Sequence, residues 1–328
     1  MTRPTSTLFV VDPLDTLDAG IDSSAGLMAA AAEADAPVWV CGPEDLALVG
    51  GRVLARARRI VLHPRVSRGD HRWLVQSPWF GEVEQRVLDV PCETEVVLLR
   101  LDPPVDPRYL RTTYLLDVAA SAGVQVVNRP SGVRHLQEKL WVLRHPDLCP
   151  DTLVTAQVDQ VLDFVELHGT VVLKPVDGFS GIDVWLLRQG DRNVRSLVES
   201  ATLRGSRHVV AQEYLPSVDA GNKRLFLLDG DIVGTVDRIP PLDDFRIGPP
   251  SAAVPADLRD HEIARRLAPD LRRLGIVLAG LDVIDGRLIE VNVTCPGGMH
   301  KTDAVLGTDL SGVIMRRLLH PTKERALT

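Results

Sequence analysis

Two carboxylates and an amide stand on an otherwise apolar ribbon near the C-terminus: Asp282, Glu290 and Asn292 within Gly280-Leu-Asp-Val-Ile-Asp-Gly-Arg-Leu-Ile-Glu-Val-Asn292. Such groups are costly on an apolar strand unless something positive sits between them. Hard oxygen ligands of this kind suit Mg²⁺, which takes few protein carboxylates and completes its shell with water and phosphate. Glu290 and Asn292 are two apart and share one face of a strand. A strict two-residue turn at Asp285-Gly286 would pair Ile284 with Arg287 and leave Asp282 and Glu290 on opposite faces. A three-residue connection over 285–287 pairs Asp282 with Glu290 and gathers all three groups. The metal reading therefore predicts an odd-length or bulged turn at 285–287. The competing reading is a surface hairpin with a solvated polar face, because alternation is the commonest strand pattern.

Lysine usage adds candidates. Of 37 basic residues only Lys139, Lys174, Lys223, Lys301 and Lys323 are lysines. Where arginine is so dominant, the lysines retained are enriched for positions that need a compact ammonium. Lys174 ends an apolar strand just before a turn-rich loop, Pro175-Val-Asp-Gly-Phe-Ser-Gly181. Such loops expose backbone N–H groups to anions, and a lysine beside them adds a point charge for phosphate. The plain alternative is a strand-ending lysine that snorkels to solvent. Gln212-Glu-Tyr-Leu-Pro216 reads as a strand end, or as an interdomain hinge offering backbone edges to a flat heterocycle.

Composition excludes several classes. The chain has 328 residues, 45% hydrophobic, 25% charged and 4% aromatic, enough for two or three domains with a large core. A net charge of −7 argues against a nucleic-acid or anionic-membrane surface. Cys41, Cys92, Cys149 and Cys295 are scattered, with no Cys-x-x-Cys or Cys/His cluster, which speaks for a reducing compartment and against structural zinc. No apolar run approaches a membrane span, and the N-terminus opens as a strand without the basic flank of a signal peptide. A cytoplasmic protein is expected.

The elements that must hold these residues begin as an α/β alternation. Strands are expected over 7–11, 38–41, 95–99 and 124–127, and helices over 23–34 and 108–122, giving a parallel sheet in a three-layer core. Residues 52–89 read as more polar and less regular, with short strands or loops. After Asn128-Arg-Pro130 the pattern changes: a helix over 131–145 capped by Ser131, strands at 152–155 and 171–175, a helix near 157–168, a strand at 182–187, a helix over 193–203 and a strand at 208–212. Strands near 224–228 and 232–236, a Pro-rich loop over 239–255 and a long helix over 257–274 lead into the hairpin. The division expected is 1–128, 129–213 and 214–328.

These pieces, taken in order, resemble one family. Lys139, Lys174-Pro-x-Asp-Gly, Gln212-x-Tyr-Leu-Pro, Asn222-Lys-Arg224, Asp282 and Glu290-Val-Asn292 look like an ATP-grasp ligase, and within that superfamily the chain is most similar to bacterial glutathione synthetase. Val11-Asp-Pro13 with Asp22-Ser-Ser24 is similar to that family's N-terminal substrate segment. Arg100-Leu-Asp-Pro-Pro-Val-Asp106, Asn128-x-Pro-x-x-x-Arg134 with Glu138-Lys-Leu140, Arg238-Ile-Pro240 and Asn292-Val-Thr-x-Pro296 complete the set.

The resemblance implies an ATP-grasp fold, α+β in the ATP-binding part, behind an N-terminal parallel α/β domain. It implies that Lys139 and Lys174 hold the α- and β-phosphates of ATP, beside Asp177, Gly178, Ser180 and Gly181. Gln212, Glu213, Tyr214 and Leu215 would line the adenine pocket, and Asn222 would meet the ribose; the family prefers Asn at 213 and Asp at 222. Asp282, Glu290 and Asn292 would hold two Mg²⁺ ions. Arg224, Arg238 and Arg246 are the candidate clamps for carboxylates and acylphosphate oxygens, each weighed against a plain surface salt bridge. Asp22, Ser23, Ser24, Arg100, Cys295, Pro296 and Gly297 would hold the substrates. The implied reaction joins γ-glutamylcysteine to glycine through an acylphosphate, in a homo-oligomer with small-molecule partners only.

Departures bear on that reading. After Arg246 the family's glycine-rich lid is replaced by the shorter Gly248-Pro-Pro-Ser-Ala-Ala-Val-Pro255, whose prolines fix φ and remove donors. Ser180 replaces a glycine in the phosphate loop, and Cys295-Pro-Gly297 replaces Ser-Pro-Thr. Two further readings stay open: a related amide ligase with a different acceptor in specialised metabolism, and an inactive ATP-binding regulatory protein. Retention of Lys139, Lys174, Asp282, Glu290 and Asn292 argues against the last, since a dead site has no need of buried charges.

Overall fold

The computed structural model describes residues 6–69, 72–179, 181–241, 244, 246 and 250–320. Its first sheet grows from the apolar strand β1 (Thr7–Val11), buried on both faces. Parallel to it run β2 (Val38–Cys41) on one side and β8 (Val96–Arg100) then β9 (Gln125–Val127) on the other. Beyond β2 the sheet turns antiparallel through β3 (Leu46–Val49), β4 (Arg52–Leu62) and β7 (Phe80–Asp89). A small hairpin, β5 (Arg65–Gly69) and β6 (Arg72–Val75), stands apart. The stretch expected to be irregular thus contains an 11-residue and a 10-residue strand paired along their length. The sheet is mixed, with a parallel centre.

Helix α1 (Ser23–Glu33) starts where the Asp22 carboxylate accepts from the Ser24 and Ala25 amides. The short α2 (Val90–Glu93) precedes β8, and α3 (Pro107–Ser121), capped by Asp106, joins β8 to β9. The helix expected over 131–145 is only α4 (Pro130–His135), followed by a 3₁₀ turn at Trp141–Arg144. Lys139 therefore sits in a turn. The reason is local: the Gln137 side-chain oxygen takes the amides of Lys139 and Leu140 at 2.8 Å each, in place of helical carbonyls.

The second sheet, ordered β10 (Thr152–Thr155), β13 (Val209–Glu213), β11 (Thr170–Pro175), β12 (Trp185–Arg188), is antiparallel and carries α5 (Val158–His168) and α6 (Val194–Ala201). The third runs β16 (Pro250–Ala253), β15 (Asp231–Arg238), β14 (Asn222–Leu228), β17 (Leu278–Ile284), β18 (Arg287–Asn292). Helix α7 (Leu258–Leu274) begins with a capping box between Asp257 and Asp260 and ends at Gly275 with φ +70°. Two helices not anticipated, α8 (Met299–Leu306) and α9 (Leu310–Leu319), return to pack on α1.

Two buried apolar clusters each combine residues of the first and third sheets, while the second sheet and its helices enclose a separate one. Among the described residues, no helix is long and apolar enough to cross a membrane.

Candidate active site

The C-terminal hairpin does pair Asp282 with Glu290, and Gly280 with Asn292. The turn itself is the two-residue Asp285-Gly286, both at positive φ (48° and 68°), and Ile284 faces Arg287. The odd residue expected in the turn is instead a bulge further along, between the Val283–Leu288 and Asp282–Glu290 pairs, where Ile289 is the extra residue. That bulge lets Ile289, Glu290 and Asn292 line one cavity with Asp282 and Ile284.

This cavity, of about 730 Å³, lies between the second and third sheets. The neighbouring strand β14 places Arg224 beside Asp282. Arg224 Nε and Nη2 donate to the two Asp282 oxygens at 2.5 and 2.9 Å, and Arg238 Nη2 donates to Oδ1 at 2.6 Å. Gly280 clears the way, since a Cβ there would stand 3.2 Å from Arg224 Nη1. Burial alone would raise the Asp282 carboxyl, but the two guanidiniums outweigh it and hold it well below the usual carboxylate range. A carboxylate offers about four lone-pair sites, so three arginine contacts leave about one of them on Asp282 for another cation. Glu290 is the freer ligand, with Lys139 Nζ at 3.6 Å its ion-pair partner. Asn292 spends its Nδ2 on the Gly280 carbonyl at 3.1 Å, which leaves Oδ1 for another partner.

Lys139 Nζ donates to the Gly178 carbonyl at 2.5 Å, tying the turn after α4 to the loop after β11. Lys174 is buried, and its Nζ donates to Gln212 Oε1 at 3.0 Å while Gln212 Nε2 reaches Thr152. Burial, opposed by Glu290 and reinforced by Lys139, lowers the Lys174 ammonium to about 8. Gly178, Gly181, Glu213, Tyr214 and Leu215 line the same cavity, with Val218, Ile284 and Ile289 forming an apolar patch against Tyr214 and Leu215. Ser180 lies outside the described residues, as does most of the Pro-rich segment before β16. Asp177 does not line the cavity.

Two expected residues, and one that was not expected, take positions that sequence could not give. Asn222, expected at the ribose, is fully buried and lines neither cavity; its Oδ1 accepts from Arg238 Nε at 2.9 Å and Nη2 at 2.5 Å, so it props Arg238. Arg246 is half exposed and ion-paired with Asp244 at 2.6 Å, its Nη1 reaching the Gly181 carbonyl at 3.4 Å. Glu138, given no role from sequence, accepts from the Val293 and Thr294 amides at 2.7 and 2.9 Å and fixes the exit of β18. Burial raises its carboxyl, with those amides opposing.

A second cavity, about 750 Å³, opens beside the first and shares Asp102, Pro103, Cys295, Gly297, Gly298 and Lys301 with it. Asp22, Ser23 and Arg100 line it. The buried Arg100 donates from Nε to Ser24 Oγ and from Nη1 to the Pro296 carbonyl, each at 3.1 Å, and Ser23 Oγ accepts the Met299 amide at 3.1 Å. The N-terminal segment and the Cys295-Pro-Gly297 segment, some 270 residues apart in sequence, are thereby one wall. Cys295 is held protonated by burial.

A nucleotide-sized cavity between two antiparallel sheets, with lysines on one side and hairpin carboxylates on the other, is the arrangement of an ATP-grasp ligase. The fold agrees: D-cycloserine synthetase DcsG, at 19% identity, superposes with a TM-score of 0.61 over 95% of this chain and 100% of that one. Residues 6–134 match the family described as prokaryotic glutathione synthetase, N-terminal domain, and 138–307 its ATP-grasp domain. A glutathione synthetase of Thermosynechococcus vestitus is 42% identical over 94% of this chain and 97% of its own. One of Synechocystis sp. is 38% identical over 92% and 95%. The chain belongs to the prokaryotic glutathione synthetase family.

Proposed function

We propose that the chain is an ADP-forming ligase that joins γ-glutamylcysteine to glycine, phosphorylating the donor carboxylate from ATP and letting the glycine amine displace phosphate. One observation carries this most: the cavity with the lysine and carboxylate walls opens directly into the one that holds Arg100, across Cys295, Gly297 and Lys301. A phosphoryl group and an acceptor carboxylate can meet there without leaving protein.

In this reading Lys139 and Lys174 hold phosphates as compact charges, with Gly178 and Gly181 beside them. Gln212 to Leu215 and the apolar patch at Ile284 and Ile289 receive the adenine. The donor set of Asp282, Glu290 and Asn292, all hard oxygens on one face of the hairpin, fits Mg²⁺, and two ions are proposed. Bound there, the metal neutralises charge on the phosphates. Arg224 and Arg238, already aimed into the cavity, stabilise charge on the transferring group, and Arg246 closes from the far side. Arg100, Asp22 and Ser23 orient the acyl substrate. Catalysis is positioning and charge stabilisation, with no protein nucleophile. The functional division proposed is 1–128 for substrate, 129–213 as an ATP-binding lid and 214–328 for catalysis. The enzyme is proposed to act in the cytoplasm as a homo-oligomer.

The test is ADP release with γ-glutamylcysteine, glycine and Mg²⁺, against a panel of other acids and amines. Glu290→Gln is expected to lower turnover by about 100-fold or more with the melting temperature little changed. An unaltered rate would sink the metal assignment, and turnover only with another amine would overturn the substrate.

A further inference from the structure

The wall shared by the two cavities carries a cation that the fold leaves without a partner. Lys301, third in α8, lines both. Every other lysine or arginine on either wall is engaged with protein, from Lys174 on Gln212 to Arg108 on Glu44. Among the described residues, Lys301 has neither a hydrogen bond nor an ion pair.

The fold gains nothing from a charge at this position. Lys301 is half-buried in the first turn of α8, the end at which a helix disfavours a cation. Burial opposes its ammonium most, Arg72 repels it, and Asp18, which favours it, is already ion-paired with Arg72. The next residue is also short of a partner. Thr302 is 1% exposed and lines the first cavity, and its hydroxyl is unpaired among the described residues. Buried polar groups are nearly always paired, so an orphan at a cavity wall calls for a ligand. An unpaired ammonium beside an unpaired hydroxyl suits an anion with more than one acceptor oxygen.

Position says which anion. The lysines and hairpin carboxylates lie along the first cavity and Arg100 lies in the second, so their junction is where phosphate meets the donor. We propose that Lys301 binds the donor carboxylate that is phosphorylated, and then the acylphosphate made from it. This deepens the function proposed above and rests on it. One carboxylate oxygen attacks the γ-phosphorus, the bond from that phosphorus to the β,γ-bridging oxygen breaks, and ADP leaves with the electron pair. Lys301 keeps its proton throughout, because a carboxylate beside it favours the ammonium. Its charge offsets the repulsion between two anions that must approach.

Steady-state ADP release by the full chain tests this, with γ-glutamylcysteine, glycine and ATP varied in turn. Lys301→Met, similar in volume and uncharged, is expected to lower kcat/KM for γ-glutamylcysteine about 10- to 100-fold. KM for ATP and for glycine should stay within about twofold of wild type. Lys301→Arg, which keeps a charge, should recover most of the loss. Lys301→Met should also melt no lower than wild type, since the fold loses no contact. An equal loss in both variants, or a lowered melting temperature for Lys301→Met, would make the residue structural and overturn the proposal. Unchanged kinetics in Lys301→Met overturn it and leave the proposed function standing. A loss confined to KM for glycine moves Lys301 to the acceptor and overturns it as well. A wild type that releases no ADP with γ-glutamylcysteine and glycine overturns the function and the donor contact together.

Discussion

At the scale of single residues, the site is built from charges that are already spoken for. Asp282 is gripped by Arg224 and Arg238, Arg238 is propped by Asn222, and Lys174 is held by Gln212. Each group is thereby positioned before any ligand arrives, which is what electrostatic preorganisation asks for. Behind the second cavity one residue is held neutral instead. His300 is buried, its Nε2 donates to the Ala19 carbonyl at 3.2 Å, its ring stacks on Trp73, and its Nδ1 has no partner among the described residues. Burial, helped by Arg65 and opposed by Asp303 and Asp22, lowers its pKa to about 4. The unfolded chain takes up a proton near pH 6.5 that the folded chain refuses until about pH 4. This contribution to stability is therefore full above pH 6.5 and falls away as the pH drops to 4, by about 3 kcal/mol. Urea midpoints measured from about pH 8 to pH 4 should show that loss, and His300→Gln should flatten it even if the variant is weaker at the alkaline end. An unchanged slope would assign the acid limb to other groups.

At the scale of elements, the bulge in β18 decides which residues face the cavity. Without it, Ile289 would oppose Asp282 and Glu290 would leave the site. With it, Ile289 joins Ile284 and Val218 in the apolar patch. Truncating Ile289 to alanine removes about 1–2 kcal/mol of apolar contact with a bound ring, so KM for ATP should rise roughly tenfold with kcat little changed. A fall in kcat at constant KM would place Ile289 outside the nucleotide pocket. Parity in the sequence foretold that one residue in this hairpin must be odd; it did not say which, because a bulge sits anywhere along a ladder at similar cost. Other elements divide the same way. The strands β1, β8, β11 and β17 were legible as apolar runs, and α7 from its acidic cap and terminal glycine. The β4–β7 hairpin was not, since arginines alternate there with small alanines and mask the period. Nor was the early end of α4, which depends on where one glutamine side chain points. The pairing of Asp282 with Glu290 was legible, but the arginines that hold Asp282 come from β14 and β15, and no local pattern reveals that neighbour.

At the scale of the whole molecule, Asn128 fastens the first sheet to the third. It stands one residue past β9, buried, and its amide is fully used: Nδ2 donates to the Leu278 and Val293 carbonyls at 2.7 and 2.8 Å, and Oδ1 accepts the Val277 and Leu278 amides at 2.8 Å each. Around it the apolar clusters run from one sheet into the other, so both should unfold together. The second sheet, with its own core, is coupled through fewer contacts of this kind. Asn128→Ala leaves four buried backbone groups without partners, at about 1–3 kcal/mol each if no water enters and less in sum because the effects share one site. A net loss of about 4 kcal/mol lowers the melting temperature by about 6 °C at this chain length. Amide exchange separates the units. Protected amides of β1, β8, β14 and β17 should lose protection together in the variant, while those of β11 and β13 keep theirs. Loss confined to the amides next to residue 128 would mean that the two sheets open independently, and the shared core would then be contact without cooperativity.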